Sequence, residues 1–81
     1  MRARIYITLK AGVLDPAGKA VEQGLHALGY AEAHDVRLGK YIELAMNPPG
    51  GDSASAKARV EEMCRKLLAN PVVENFRVEL G

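Results

Sequence analysis

A thiol nucleophile, an imidazole base, an acid and base pair and an amide cradle for an anion are the reactive options this chain offers. They fall at Cys64, at His26 and His34, at Glu61, Glu62 and Glu74, and in residues 47–52. Cys64 recurs in register with Val60 and Leu67, on what reads as the apolar stripe of a helix. A buried, inert thiol with no base beside it is the simpler expectation. Neither histidine has companions at zinc-ligand spacing, so both are expected to be solvated. His34 and Asp35 are adjacent, and in an extended segment neighbours point to opposite faces, so they do not form an orienting dyad. Glu61 and Glu62 stand four residues before Arg65 and Lys66. That order suits exposed helical ion pairs worth about 0.2–0.5 kcal/mol each, and nothing raises their pKa or that of Glu74 toward acid catalysis. The run Asn47-Pro48-Pro49-Gly50-Gly51-Asp52 leads into a helix start, where anions can bind, but matches neither the dinucleotide fingerprint nor the P-loop. A plain connector is expected there, and the chain offers no catalytic residue, no metal site and no cofactor site.

Composition agrees with a small binding component. The chain has 81 residues, 48% hydrophobic and 26% charged, which is an ordinary foldable mixture. At 8.7 kDa it is one domain, residues 1–81, and typical per-residue stabilities give only about 4–12 kcal/mol. Burial against a partner would supplement that. Eleven Lys and Arg against ten Asp and Glu leave a formal charge of +1, with no footprint for nucleic acid or an anionic membrane. One cysteine closes no intrachain disulfide, and the first ten residues lack the unbroken apolar run of a signal peptide or spanning helix. A cytoplasmic location is the expectation.

The elements follow from periodicity. Ile5, Ile7 and Leu9 alternate with polar residues, predicting a strand over residues 3–10. Asp15-Pro16 then supplies a capping carboxylate and a proline suited to the first helical position. Val21, Leu25 and Leu28 give that helix an apolar stripe to lay on a sheet, with Gly24 allowing close approach and Gly29 ending it. Residues 30–47 read as extended, with Val36, Leu38, Ile42, Leu44 and Met46 sharing one parity that Lys40 interrupts. Two paths fit: a hairpin turning at Gly39-Lys40, or one long bent strand with Lys40 at a bulge or a subunit edge. A second helix, capped by Asp52 or Ser53, buries Ala56, Val60, Met63, Cys64, Leu67 and Leu68, and Asn70-Pro71 ends it. Phe76, Val78 and Leu80 alternate in a last strand. The economical architecture is α+β: a ferredoxin-like antiparallel sheet with two helices on one face, dimerising through the sheet or its edges. On the second face Tyr6, Tyr41 and Val73 sit among polar residues, a mixture that suits either solvent or a partner.

Leu9-Lys10-Ala11-Gly12-Val13-Leu14-Asp15-Pro16, followed by Gly18 and Ala20-Val21, resembles the PurS family, the small subunit of phosphoribosylformylglycinamidine synthase. Leu28-Gly29-Tyr30, then Val36-Arg37-Leu38-Gly39-Lys40, then the run from Leu67-Leu68-Ala69-Asn70-Pro71 to Val72-Val73-Glu74 look like its other recurring segments, in order. The resemblance spans nearly the whole chain. It implies a PurS-like fold and a non-catalytic role in purine biosynthesis. The family's complex makes formylglycinamidine ribonucleotide from formylglycinamide ribonucleotide, ATP and glutamine, using ATP and Mg that this chain does not bind. It further implies a homodimer or tetramer that bridges a glutaminase subunit and a large synthetase subunit and supports ammonia transfer. Lys10, Asp15, Arg37 and Lys40 are the candidates for subunit contacts, or for fixing the loops that make them. Against that, Asp15 serves simply as a helix cap and Lys10 is simply solvated.

Two other classes compete. Small modules of this fold often pair and bind amino acids or nucleotides between subunits, so a ligand-binding regulatory domain is the alternative, though no polar pocket motif supports it. A nucleic-acid module would want stacking aromatics and clustered basic residues, and the aromatic set is only Tyr6, Tyr30, Tyr41 and Phe76.

Overall fold

Alternation along the first strand decides the architecture. In the computed structural model, which describes residues 1–48 and 50–81, β1 (Arg2–Leu9) is the middle strand. It lies between β2 (Gly39–Ala45) and β3 (Glu74–Leu80), both antiparallel to it. Ala3, Ile5 and Ile7 are buried because each has a neighbour on either side and a helix above. Ile5 stands opposite Ile42 and Val78, and Ile7 opposite Lys40 and Phe76. Burying one such isoleucine contributes about 1.5–3 kcal/mol.

The helix above is α2 (Ser53–Met63), capped by Asp52, whose Oδ1 accepts the Ser55 N–H at 2.7 Å. Ala56, Val60 and Cys64 are buried against the apolar face of the sheet. Cys64–Leu68 then forms one π-helical turn, closed by the Ala69 N–H donating to the Cys64 carbonyl at 2.9 Å. This wider turn corrects the expected stripe. It swings Leu67 out to 83% exposure and brings Ala69 in to 7%. Of the residues 47–52 expected as a loop, Pro49 lies outside the described residues.

Between β1 and β2 runs α1 (Pro16–Ala27), with proline in its first turn and Asp15 as cap. It ends as expected at Gly29, whose φ of +99° is cheap only for glycine. The Gly29 N–H donates to the His26 carbonyl and the Tyr30 N–H to the Leu25 carbonyl, the paired bonds of a Schellman motif. Its apolar stripe, however, does not lie on the sheet of its own chain. Val21 and Leu28 are exposed, and a methyl group added at Gly24 would meet nothing within 4 Å. The reason is that α2 covers the apolar sheet face, while α1 is held from its other side by residues 33–38.

Those residues also resolve the path left open above. Gly39 and Lys40 pair with Thr8 and Ile7 inside the β1–β2 ladder, so there is no hairpin at that point. Nor is there one long strand, because residues 30–38 have no strand partner. Asp35 takes a left-handed φ of +53°, and the amides of Val36 and Leu38 are satisfied by carboxylates of the α1 segment instead of by a ladder. His34 and Asp35 are accordingly not in a strand, and His34 Nδ1 contacts the Glu32 carbonyl at 3.0 Å.

Candidate functional site

Asp15 is a buried carboxylate, 7% exposed, with three polar partners. Its Oδ1 accepts the Gly18 N–H at 2.9 Å, which is the helix cap. Its Oδ2 accepts the Leu38 N–H at 2.8 Å and stands 3.9 Å from Arg37 Nε. Accepting bonds from the Gly18 and Leu38 amides, with the Arg37 cation beside it, holds the carboxyl below its ordinary pKa despite burial. The cap therefore also ties the start of α1 to the segment entering β2. Glycine is required at position 18, because a Cβ there would collide with the Val36 carbonyl oxygen and sit 2.7 Å from Asp15 Oδ2.

Arg37 carries the connection back toward β1. Its Nη2 donates to the carbonyls of Lys10 at 3.2 Å and Val13 at 3.0 Å, so Lys10 takes part through its backbone. Lys40 stands on edge strand β2, on the apolar parity, and finds a carboxylate: its Nζ is 3.5 Å from Glu74 Oε2. Glu74 Oε1 in turn accepts the Asn70 N–H at 2.6 Å, and that bond, with Lys40, lowers its pKa. Asp15, Leu38, Lys40 and Glu74 rim one cleft of about 210 Å³ whose floor is Ile7, Leu9 and Ala17. The four sequence candidates thus lie in one neighbourhood, Lys40 joined through Glu74 and the cleft rather than through Asp15.

Sequence reasoning missed three members. Gly18 and Glu22 follow Asp15 at intervals of three and seven, a helical spacing that marks a second, polar face of α1. Gly39 is needed for close approach rather than for a turn, since a Cβ there would lie 2.5 Å from the Ile7 carbonyl oxygen.

The reactive options of the sequence are occupied otherwise. Cys64 is buried on the apolar face, and desolvation pushes its thiol pKa up, away from the nucleophilic thiolate. Glu62 pairs with Lys66 at 2.8 Å and with Arg59 at 3.8 Å, which lowers its pKa, the wrong direction for a general acid. Among the described residues the Glu61–Arg65 pair does not form. His26 is not simply solvated: its Nε2 lies 2.6 Å from the Ala33 carbonyl and donates to it. Among the described residues no three of His, Cys, Asp and Glu are grouped to hold a metal ion.

The second sheet face is uncovered. Tyr6 and Tyr41 rings lie 5.1 Å apart, tilted by 43°, with the Arg77 guanidinium 4.2 Å above the Tyr6 ring. Arg4–Glu43 at 3.7 Å and Arg77–Glu79 at 3.0 Å flank them. Glu79, close to the Tyr6 hydroxyl, raises the phenol's pKa. Val73 is half-buried just before β3.

The family model of PurS, described as phosphoribosylformylglycinamidine (FGAM) synthase, matches residues 2–81. The phosphoribosylformylglycinamidine synthase subunit PurS of Synechocystis is 52% identical over 95% of this chain and 75% of its own length. That of Bacillus subtilis is 46% identical over 98% and 90%. Among solved structures, Methanocaldococcus jannaschii PurS superposes with a TM-score of 0.84 at 37% identity, covering 96% of this chain and 92% of its own. A chain of the Thermotoga maritima PurLQS structure superposes at 0.76 with 26% identity, covering 96% and 93%. The chain belongs to the PurS family.

Proposed function

We propose that this chain is the non-catalytic small subunit of phosphoribosylformylglycinamidine synthase. That complex makes formylglycinamidine ribonucleotide from formylglycinamide ribonucleotide, ATP and glutamine in purine biosynthesis. The observation that carries the reading is the PurS match over residues 2–81. In this reading the chain acts in the cytoplasm by holding the glutaminase and synthetase subunits together and sheltering ammonia between them. ATP and Mg belong to the synthetase, and no nucleic acid or membrane is involved.

Self-pairing, as a dimer or tetramer, is part of the proposal, and the surface supports it. The chain exposes 5545 Å², whereas a globular monomer of this mass exposes about 4,700 Å². The excess is close to the roughly 800 Å² that one partner gives to a standard interface. Lys10, Asp15, Arg37 and Lys40 contribute by fixing the loops around the cleft or by touching a neighbouring subunit.

Reconstitution tests the function. Glutamine-dependent synthesis by the two larger subunits is expected to fall at least about tenfold when this protein is left out, an effect of about 1.4 kcal/mol. Unchanged synthesis would overturn the proposal. In the same assay, Arg37→Glu combined with Lys40→Glu is expected to weaken co-elution with the synthetase subunit while the circular dichroism spectrum holds. Unaltered co-elution would remove both residues from the contact surface.

A further inference from the structure

One face of α1 is polar and fully engaged, and its bonds run in order. Asp15 Oδ2 accepts the Leu38 N–H at 2.8 Å, Glu22 Oε1 accepts the Val36 N–H at 3.2 Å, and His26 Nε2 donates to the Ala33 carbonyl at 2.6 Å. Positions 15, 22 and 26 are spaced by two turns and one turn, so they share a helix face, while their partners descend from 38 to 33. Gly18 lies on the same face and leaves room for the Val36 carbonyl. Residues 33–38 therefore run antiparallel to α1, pinned to side chains instead of to a strand. The second oxygen of Glu22 is 3.6 Å from Lys19 Nζ. Among the described residues, no strand and no part of α2 packs extensively on α1. Because residue 38 leads directly into Gly39 of β2, this seam is what sets the direction of α1 relative to the sheet.

We propose that Glu22 is a positioning residue: through the Val36 amide it locks α1 and residues 33–38 into one preset arm, which aims the exposed Val21 and Leu28 of its apolar stripe at a second copy of the chain. This rests on the self-pairing in the reading above. The chemistry of the lock is acceptance of one backbone hydrogen bond at the reach of a glutamate-length side chain. Charge alone does not supply it. Glu22→Gln retains an acceptor oxygen at the same reach, whereas Glu22→Asp retains the charge and falls one methylene short.

The test pairs amide hydrogen exchange with sedimentation equilibrium on the full chain. In Glu22→Ala and Glu22→Asp, exchange at Val36 is expected to rise about tenfold while the Ile5 amide in β1 stays protected, and Glu22→Gln is expected to behave as wild type. The self-association constant is expected to weaken about tenfold in the first two variants and recover in the third. If Glu22→Asp matches wild type and Glu22→Gln does not, charge rather than reach sets the arm and the proposal is overturned. It is also overturned if Val36 exchange rises and self-association is unchanged. If Glu22→Ala loses the sheet as well, the Asp and Gln variants decide between the same two outcomes. A wild-type chain that is monomeric at every concentration overturns the self-pairing reading and the positioning role with it.

Discussion

At Asp15 a single carboxylate joins three things that lie apart in the sequence: the first turn of α1, the amide of Leu38 and the Arg37 side chain. The consequence for pH follows from sign. The folded-state pKa is lowered, chiefly by the bonds from the Gly18 and Leu38 amides, so the carboxylate stabilises the fold above its ordinary value. That contribution is lost as pH falls through the lowered folded value. Glu22 and Glu74 are lowered by the same kind of bond, from Val36 and Asn70, and act in the same direction. Asp15→Asn is expected to lower the thermal midpoint by about 5 °C near neutral pH. Its deficit should begin to shrink below about pH 4, where the unfolded chain's carboxyl becomes protonated, and should close only below the lowered folded value. Melting curves from pH 7 to 2.5 check this, and a constant deficit would deny the linkage. As a helix cap Asp15 was readable from Asp-Pro alone. Its bond to Leu38 was not, because the partner is 23 residues away and no local pattern records that distance.

Among the elements, the two glycines of α1 separate propensity from packing. Alanine is the better helix former by about 1 kcal/mol, so propensity alone favours replacing either. At Gly18 a methyl group would strike the Val36 carbonyl, and Gly18→Ala is expected to destabilise by about 1–3 kcal/mol in urea melts. At Gly24 the methyl meets open space, and Gly24→Ala is expected to stabilise the chain by about 0.5–1 kcal/mol. Opposite signs in one helix would confirm that the seam, not the stripe, is the closely packed side within one chain. Equal signs would contradict it. The sequence pointed to Gly24 as the place of close approach, since it lies on the apolar stripe. The polar face hid the true one because Gly18 contacts backbone, and backbone approach leaves no hydrophobic signature. Leu67 teaches the same lesson in α2: a stripe extrapolated at 3.6 residues per turn buries it, and one π turn takes it out.

As a whole molecule the chain is drawn out, 51 × 25 × 14 Å, with a radius of gyration of 16.1 Å. A compact chain of this length has a radius near 12 Å. An elongated monomer with an uncovered helix stripe, an open cleft and an uncovered sheet face has surplus surface for partners. Its thermal midpoint is therefore expected to rise with protein concentration, by several degrees over a hundredfold range, as linkage to self-association requires. Scanning calorimetry over that range checks it, and a midpoint independent of concentration would count against self-pairing.

The sequence by itself determined the first and last strands, the two helices, the Asp15 cap, the Gly29 stop and membership of a family, because each rests on periodicity or on runs of adjacent residues. Only the tertiary structure decided where α1 lies, that Gly39-Lys40 is ladder and not turn, and that Asp15, Leu38, Lys40 and Glu74 surround one cleft. Those outcomes depend on single hydrogen bonds and ion pairs between residues as many as 34 positions apart, such as Lys40 with Glu74. Such contacts form only after the sheet has brought β1, β2 and β3 side by side, so no local pattern announces them.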